Sequence, residues 1–384
     1  MSMADSAPVS PPVSPPVSPP APAALAEAAR LMTICNACRY CEGLCAVFPA
    51  MELRRDFAAG DLNYLANLCH GCGACLYDCQ FAPPHEFAVD VPRSLSAVRA
   101  ASYRSYAWPA ALRPLFDRNG LAVAAIAAAS LAAFLLGFVL AHDPAALFDS
   151  SGAFYALMPH AAMAGLFGAA GLYALLALIM GYRAFRRDTG AASPAASSGG
   201  SLWQAMRDAG RLRYLDGGGA GCHDTGAVPR DRRRLFHHLT FYGFLLCFAA
   251  TVAGTAYHYL LGWPAPYGLL SLPKLFGIPG GIGLTIGTAG LLHLKLCRTP
   301  PLADPARFGM DTAFIAMLGL TGLTGLLLMG FRETPAMGLL LAVHLGFVFA
   351  LFLTLPYGKF VHGLYRFGAL MLYAAERKAG QLEH

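Results

Sequence analysis

Charge is scarce in this sequence. Asp, Glu, Lys and Arg make up 13% of its 384 residues, against about 25% in a typical soluble domain, and mean hydropathy is +0.49. A wholly soluble protein is excluded. Acid is the scarcer sign, with 22 Asp and Glu against 28 Lys and Arg and a net charge of +6. That excess does not require nucleic acid, because membrane proteins collect Lys and Arg in cytoplasmic loops. Residues 1–23, MSMADSAPVSPPVSPPVSPPAPA, lack the basic start and apolar run of a signal peptide. Their PPVS repeat cannot bury a core and reads as a disordered, extended lead, so the segment after it is expected to stay cytoplasmic. No G-x-G-x-x-G follows a strand pattern, and no nucleophile is paired with a base. Any chemistry must therefore come from bound cofactors.

Apolar runs are plentiful. After an Ala/Leu/Glu stretch expected to be helical (Ala24–Met32) and a polar domain over residues 24–120, the composition changes sharply. Six runs follow: Leu121–Ala141, Ala161–Tyr182, Phe236–Gly262, Ile278–Cys297, Thr312–Phe331 and Met337–Phe360. About 20 apolar residues span a bilayer, so six transmembrane helices are expected. Two of them fill 121–182 and four fill 236–370, with an Arg-rich linker at 183–235 and a tail at 371–384 that ends in a tag-like Leu382-Glu383-His384. The fourth run carries five glycines between Gly280 and Gly290, which suit close helix packing.

Charge sets the expected orientation. The 183–235 linker holds ten arginines, including Arg186-Arg187 and Arg232-Arg233-Arg234. Lys295, Arg298, Arg307, Lys359, Arg366, Arg377 and Lys378 fall on the same side, whereas 142–158 has only Asp143 and Asp149, and the other outer loops only Lys274 and Arg332. Both termini are expected in the cytoplasm of a bacterial cell.

Eight of the eleven cysteines form two runs, Cys35-x2-Cys38-x2-Cys41-x3-Cys45 and Cys69-x2-Cys72-x2-Cys75-x3-Cys79. This is the bacterial two-cluster ferredoxin spacing, in which three thiolates of one run and the fourth of the other hold each [4Fe–4S] cluster. Cluster one is expected on Cys35, Cys38, Cys41 and Cys79, and cluster two on Cys69, Cys72, Cys75 and Cys45. Gly71 and Gly73 let the backbone turn near the sulfurs. Pro49 and Pro83 stand four residues beyond the last Cys of each run rather than directly after it, so the flanking turns must differ from the ferredoxin pattern. Zinc more often uses two spaced pairs, and a cytoplasmic site disfavours disulfides. Cys247 and Cys297 read as small core residues. Cys222-His223-Asp224, after a glycine run, reads as a flexible loop, with a redox or metal site as the alternative. The expected fold is all-α: a two-cluster ferredoxin-like, cysteine-rich helical domain followed by a six-helix transmembrane bundle.

Ionisable groups inside a bilayer are functional candidates. By the expected topology His160, His258 and His344 lie toward the outer face, and His237, His238, His293 and His362 toward the inner. His344 and His362 are 18 residues apart, five helical turns and about 27 Å of rise. His237 is nearer in phase to His258 than His238 is. Antiparallel helices three and six could each offer one histidine at two depths, the arrangement needed for bis-histidine haem b. His258 and His344 are the expected outer pair, with His160 in reserve. His237 or His238 with His362 is the inner pair, with His293 in reserve; that inner set could instead line a quinone pocket.

With CNACRYCEGLC, CHGCGACLYDCQFAPPHEF, RRRLFHHLTFYGFLLCFAATVAGTAYHYLLG and HLGFVFALFLTLPYGKFVHGLYRF in this order, residues 30–375 resemble the tricarballylate/citrate-utilisation protein B family. They are similar also to the membrane half of a cobalamin-pathway flavoprotein fusion. The resemblance implies a membrane electron-transfer subunit that re-oxidises an FAD-dependent dehydrogenase of a tricarboxylic acid and passes electrons through two [4Fe–4S] clusters and haem b to quinone. The flavin would then sit on another chain. The nearest rival is a quinol-oxidising anchor of a nitrate- or heterodisulfide-reductase-like complex. A membrane iron–sulfur redox sensor is the rival of another class; it would be expected to carry an output domain, and the short tail after Phe367 argues against that reading.

Overall fold

A computed structural model of the chain describes residues 21–148, 154–224, 226–298 and 308–380. The lead through Pro20, Asp149, Arg307 and the Leu382-Glu383-His384 end, on which expectations were placed, lie outside the described residues. Among the described residues the fold is all-α, with only an isolated bridge between Cys222 and Arg230.

Five helices make the cysteine-rich part: α1 (Ala21–Cys38), α2 (Val47–Glu52), α3 (Ala59–Leu68), α4 (Ala74–Tyr77) and α5 (Val91–Tyr106). The first is longer at both ends than Ala24–Met32. Pro22 sits in its first turn, where a missing N–H costs nothing, and nothing in RLMTICNAC breaks a helix. Cys35 and Cys38 therefore stand on its last turn, one above the other at i and i+3. Asp90 caps α5 by accepting from Arg93 N at 3.0 Å.

Six helices are long and apolar enough to cross a membrane: α6 (Asn119–Ala141), α8 (His160–Asp188), α10 (Arg232–Leu261), α11 (Leu272–Leu296), α12 (Phe308–Gly330) and α13 (Met337–Thr354), the last counted through Tyr357. A single turn, α7 (Phe154–Leu157), precedes α8. Leu172, Leu175, Phe248, Val252 and Leu260 are exposed on these helices. Satisfied backbone with an apolar exterior is what a bilayer selects. α10 packs on α11, α11 on α12, α12 on α13, and α13 on α6 and α8. The glycines do what their spacing implied. A Cβ at Gly287 would fall 2.6 Å from Thr240 N, and one at Gly243 2.5 Å from Leu284 N, so α10 and α11 touch backbone to backbone.

Helix six does not continue to Phe360. Pro356 lacks an N–H and disfavours helix before it; Leu355–Tyr357 is a single 3-10 turn, and a new helix, α14 (Val361–Lys378), begins beyond Gly358. His344 and His362 consequently lie on different helices, and their five-turn alignment does not hold. The tail expected from residue 371 is part of α14 as far as Lys378. Val361, Tyr365, Ala369 and Met371 share one core with Leu31, Tyr64, Leu95 and Tyr103 of the cysteine-rich part. Glu376 accepts from Arg54 and from Tyr64 Oη, each at 2.8 Å. The linker is folded too. It carries α9 (Gly199–Gly210), and Ala191, Ala196 and Ala205 join the same core.

Candidate metal centres

Each cysteine run is shaped by a helix end. After α1 the chain turns at Arg39, whose φ is 55° and whose N–H donates to Cys35 O at 2.8 Å; Cys41 and Cys45 follow in this turn. Cys69 closes α3, and Gly71 (φ 59°) and Gly73 (φ 88°) take the left-handed conformations that let the loop curl. Gly71 N donates to Cys69 Sγ at 3.3 Å. Cys75 lies in α4 and Cys79 just beyond it.

The thiols gather in two groups, and the fourth member of each comes from the other run. Burial, then Cys41, Cys79 and Cys38, pushes the Cys35 thiol up to about 12. Burial, then Cys79 and Cys38, does the same to Cys41. Burial, then Cys72 and Cys69, drives Cys45 well up, and burial, then Cys72, Cys45 and Cys69, drives Cys75. Thiols crowded and buried in this way become thiolates only around a compensating cationic core. Ile34, Phe48, Phe81 and Val89 wall the first cradle, giving the apolar shell that a cluster needs. Among the described residues no three Cys, His, Asp or Glu side chains close round a single ion.

The second cradle is covered by the linker. Gly217 packs against it, a Cβ there lying 3.9 Å from Cys72 Sγ. His223 N donates to Cys72 O at 2.8 Å, and its ring stacks on Tyr77 at 4.5 Å. Cys222, His223 and Asp224 are all buried, so this segment is a fixed lid over the cradle rather than a flexible loop. Cys247 is half-buried, and Cys297 is exposed rather than a core residue.

Four guanidinium groups grip the backbone of the second run. Arg99 donates to Ala66 O at 3.1 Å and to Cys69 O. Arg366 donates to Cys69 O at 2.6 Å and to Asn67 O at 3.2 Å. Arg233 reaches His70 O and Gly71 O, both at 3.1 Å, and Arg298 also bonds Gly71 O. Asp224 lies 3.5 Å from Arg233 and 3.6 Å from Arg298. Burial, then the charges of Arg366 and Arg233, holds His70 well below its ordinary pKa. Of these arginines, Arg233, Arg298 and Arg366 read in the sequence as orientation charges. The usable signal was their position, within the first two turns of α10 and α14 or just after α11.

Beneath that loop lies a cavity of about 590 Å³, lined at one end by His70, Arg99, Arg233 and Arg366, and deeper by His237, His362, Phe244, Phe314 and Leu318. The His237 and His362 rings are 6.1 Å apart, at 72°. His362 Nδ1 is 2.6 Å from Lys359 O, the backbone contact that fixes a tautomer and leaves Nε2 for a metal. His237 Nδ1 is buried with no partner. His238 turns away, its ring 5.9 Å from Tyr242.

The expected His258–His344 pair is not assembled. His258 stacks on the reserve histidine, His160, with centroids 3.6 Å apart, and Tyr155 and Tyr259 surround both. His344 Nδ1 lies 3.1 Å from Thr324 Oγ1, against Gly325. Phase along each helix was right to consider, but it does not say which helices are neighbours, and α11 and α12 fill the place where α10 was expected to meet α13. His293 is exposed beside Cys297, 3.9 Å from its sulfur.

The sequence profile of the citrate utilization protein B Fer4-like domain matches residues 28–105, and that of citrate utilization protein B matches residues 115–382. The chain belongs to the citrate utilization protein B family. Citrate utilization protein B of Escherichia coli is 49% identical to it over 362 residues, 93% of either chain. No solved structure matches it. In this member of the family the Fer4-like segment ends at the last turn of α5, and the segment that follows supplies α14, whose side chains complete the Fer4-like core.

Proposed function

We propose that this chain is a membrane electron-transfer subunit that re-oxidises a partner FAD-dependent dehydrogenase of a citrate-like tricarboxylic acid and delivers electrons to quinone in a bacterial cell membrane, with its cysteine-rich domain cytoplasmic. Cys35, Cys38, Cys41 and Cys79 would hold one [4Fe–4S] cluster, Cys69, Cys72, Cys75 and Cys45 the other, and His237 and His362 a haem b. When bound, these groups supply one-electron transfer. The residues' own work is placement. Arg99, Arg233, Arg298 and Arg366 fix the loop of the second cradle over the histidine-lined cavity, and the same cations are suited to carboxylate groups of a macrocycle. Lys295 and Lys359 each lie 2.8 Å from Asp311 and set the polar wall of that cavity.

The observation that carries this reading is continuity: the His70–Gly71 backbone of the second cradle is itself a wall of the cavity that holds His237 and His362. Anaerobically purified full-length chain should show a low-spin b-type spectrum. His237→Ala and His362→Ala should each lose it while keeping non-haem iron, and His344→Ala should keep both. A wild-type haem spectrum in His237→Ala would overturn the ligand assignment. Oxidation of a tricarboxylic acid by the isolated chain with a quinone acceptor would overturn the division of labour with a dehydrogenase.

A further inference from the structure

A second concavity, which shares Asp208 and Gly210 with the wall of the histidine-lined cavity, opens between α9, α10 and α14. It is a groove of about 1010 Å³ lined by six cations, Arg207, Arg211, Arg213, Arg234, Arg377 and Lys378, against two carboxylates, Asp208 and Asp216, a lining charge of +4 (six minus two). Both carboxylates are already engaged: Asp208 with Gln204 at 3.0 Å and Arg213 at 3.5 Å, Asp216 with Arg234 at 3.7 Å. Arg207, Arg211 and Lys378 have no carboxylate within ion-pair distance among the described residues. Cations converging on one concavity repel one another unless an anion is supplied.

We infer that this groove is the headgroup site of an anionic phospholipid in the leaflet nearest the cysteine-rich domain. Three placements favour a lipid over a soluble acidic partner. Arg234, His238 and Tyr242 succeed one another at i, i+4 and i+8 on α10, so the groove follows a spanning helix from its charged end toward its apolar stretch. Directly beyond Tyr242 the helix exposes Leu245, Phe248 and Val252, a track for acyl chains in line with the headgroup pocket. On the other wall, α9 buries Ser201, Ala205 and Asp208 and exposes Leu202, Trp203 (67%) and Met206. Tryptophan and leucine outward on an amphipathic helix, with arginine beside them, are the composition of an interfacial helix. Tyr242 Oη donates to Gly210 O at 2.7 Å and pins the end of that helix to α10. A net +4 suits the two phosphates of diphosphatidylglycerol better than the single phosphate of phosphatidylglycerol, and does not suit zwitterionic phosphatidylcholine.

The test uses the full-length chain with its clusters, in phosphatidylcholine nanodiscs doped with diphosphatidylglycerol or phosphatidylglycerol, and native mass spectrometry to count retained lipid. Arg207 and Arg211 are exposed, so Arg207→Gln/Arg211→Gln should leave fold and cluster absorbance intact. The pair should weaken diphosphatidylglycerol retention about thirtyfold, at roughly 1 kcal/mol for each cation near an anionic surface. Arg55→Gln/Arg93→Gln, two exposed cations of the cysteine-rich domain, should change it less than twofold. Equal retention of phosphatidylcholine, equal loss in the control pair, or displacement of the lipid by inorganic phosphate alone would each overturn the assignment. So would unchanged lipid binding with loss of a co-purifying dehydrogenase, which would make the groove a protein-docking surface.

Discussion

The two thiol cradles have the same spacing and opposite surroundings. In the first, Cys38 is exposed and the neighbouring Tyr40 is 72% exposed. The arginine on its backbone, Arg39, reaches Asn36 O at 3.2 Å from an exposed position. In the second, Cys69 and Cys72 are buried, a linker segment lies over the sulfurs, and four guanidiniums hold the loop. Exposure makes the first cradle the one a soluble partner can approach. Burial against the spanning helices makes the second the one that can communicate with the membrane. Positive charge favours the more reduced, more negative form of a cluster, so the arginines should raise the potential of the second above the first and give transfer a direction.

The largest test of this comparison exchanges the swapped thiols. Cys79→Ser should remove the exposed cluster and Cys45→Ser the buried one, each lowering non-haem iron from about eight to about four per chain, read by iron assay and electron paramagnetic resonance. A variant that lost the cluster of its own run instead would undo the crossing. Next, ferricyanide should bleach the exposed cluster at least tenfold faster than the buried one, on the order expected when access rather than potential limits the reaction; equal rates would erase the difference in exposure. A smaller effect is expected electrostatically. Arg233→Gln keeps a donor for the loop but removes a charge, and should lower the buried cluster's midpoint, and not the exposed cluster's, by ~40 mV, roughly 1 kcal/mol for a one-electron couple, in a potentiometric titration. The smallest is Tyr40→Ala. It should change stability by less than about 0.5 kcal/mol while weakening transfer from a partner dehydrogenase, measured as a raised KM for that partner with kcat preserved.

The spans and the cysteine system were legible because they depend on local composition. An uncharged run of 21 residues such as Leu121–Ala141 has one economical solution in a bilayer, and the i, i+3, i+6 thiols suggest iron–sulfur chemistry by spacing, in keeping with the Fer4-like match over residues 28–105. The histidine partners were legible only in part: His237 and His362 of the expected inner pair do meet, whereas His258 and His344 of the outer pair each have another neighbour. Helical phase constrained where His258, His344 and His362 point, but neighbour choice is decided by side-chain volume at helix contacts. Gly243, Gly280 and Gly287 bring α10 onto α11, and this leaves α13 to other partners. Pro356, inside the sixth apolar run, makes a full break between α13 and α14. The arginines' second role was hidden for a different reason: the same positive charge that orients loops also donates hydrogen bonds, and only the folded backbone shows which carbonyls are in reach.

The last helix, α14, threads back into an earlier part of the chain, and its Tyr365 and Ala369 are almost as buried there as Tyr64 or Leu95. The consequence is one of timing. On a ribosome, the cysteine-rich segment emerges while the helix that finishes its core is still untranslated, with six spans yet to insert. Until then its apolar interior stays open and its second cysteine run lacks Arg366. Maturation of that run is thereby coupled to completion of the whole membrane domain, and a chain cut short anywhere before Val361 would display an unfinished core to the cell's proteases rather than a half-working relay.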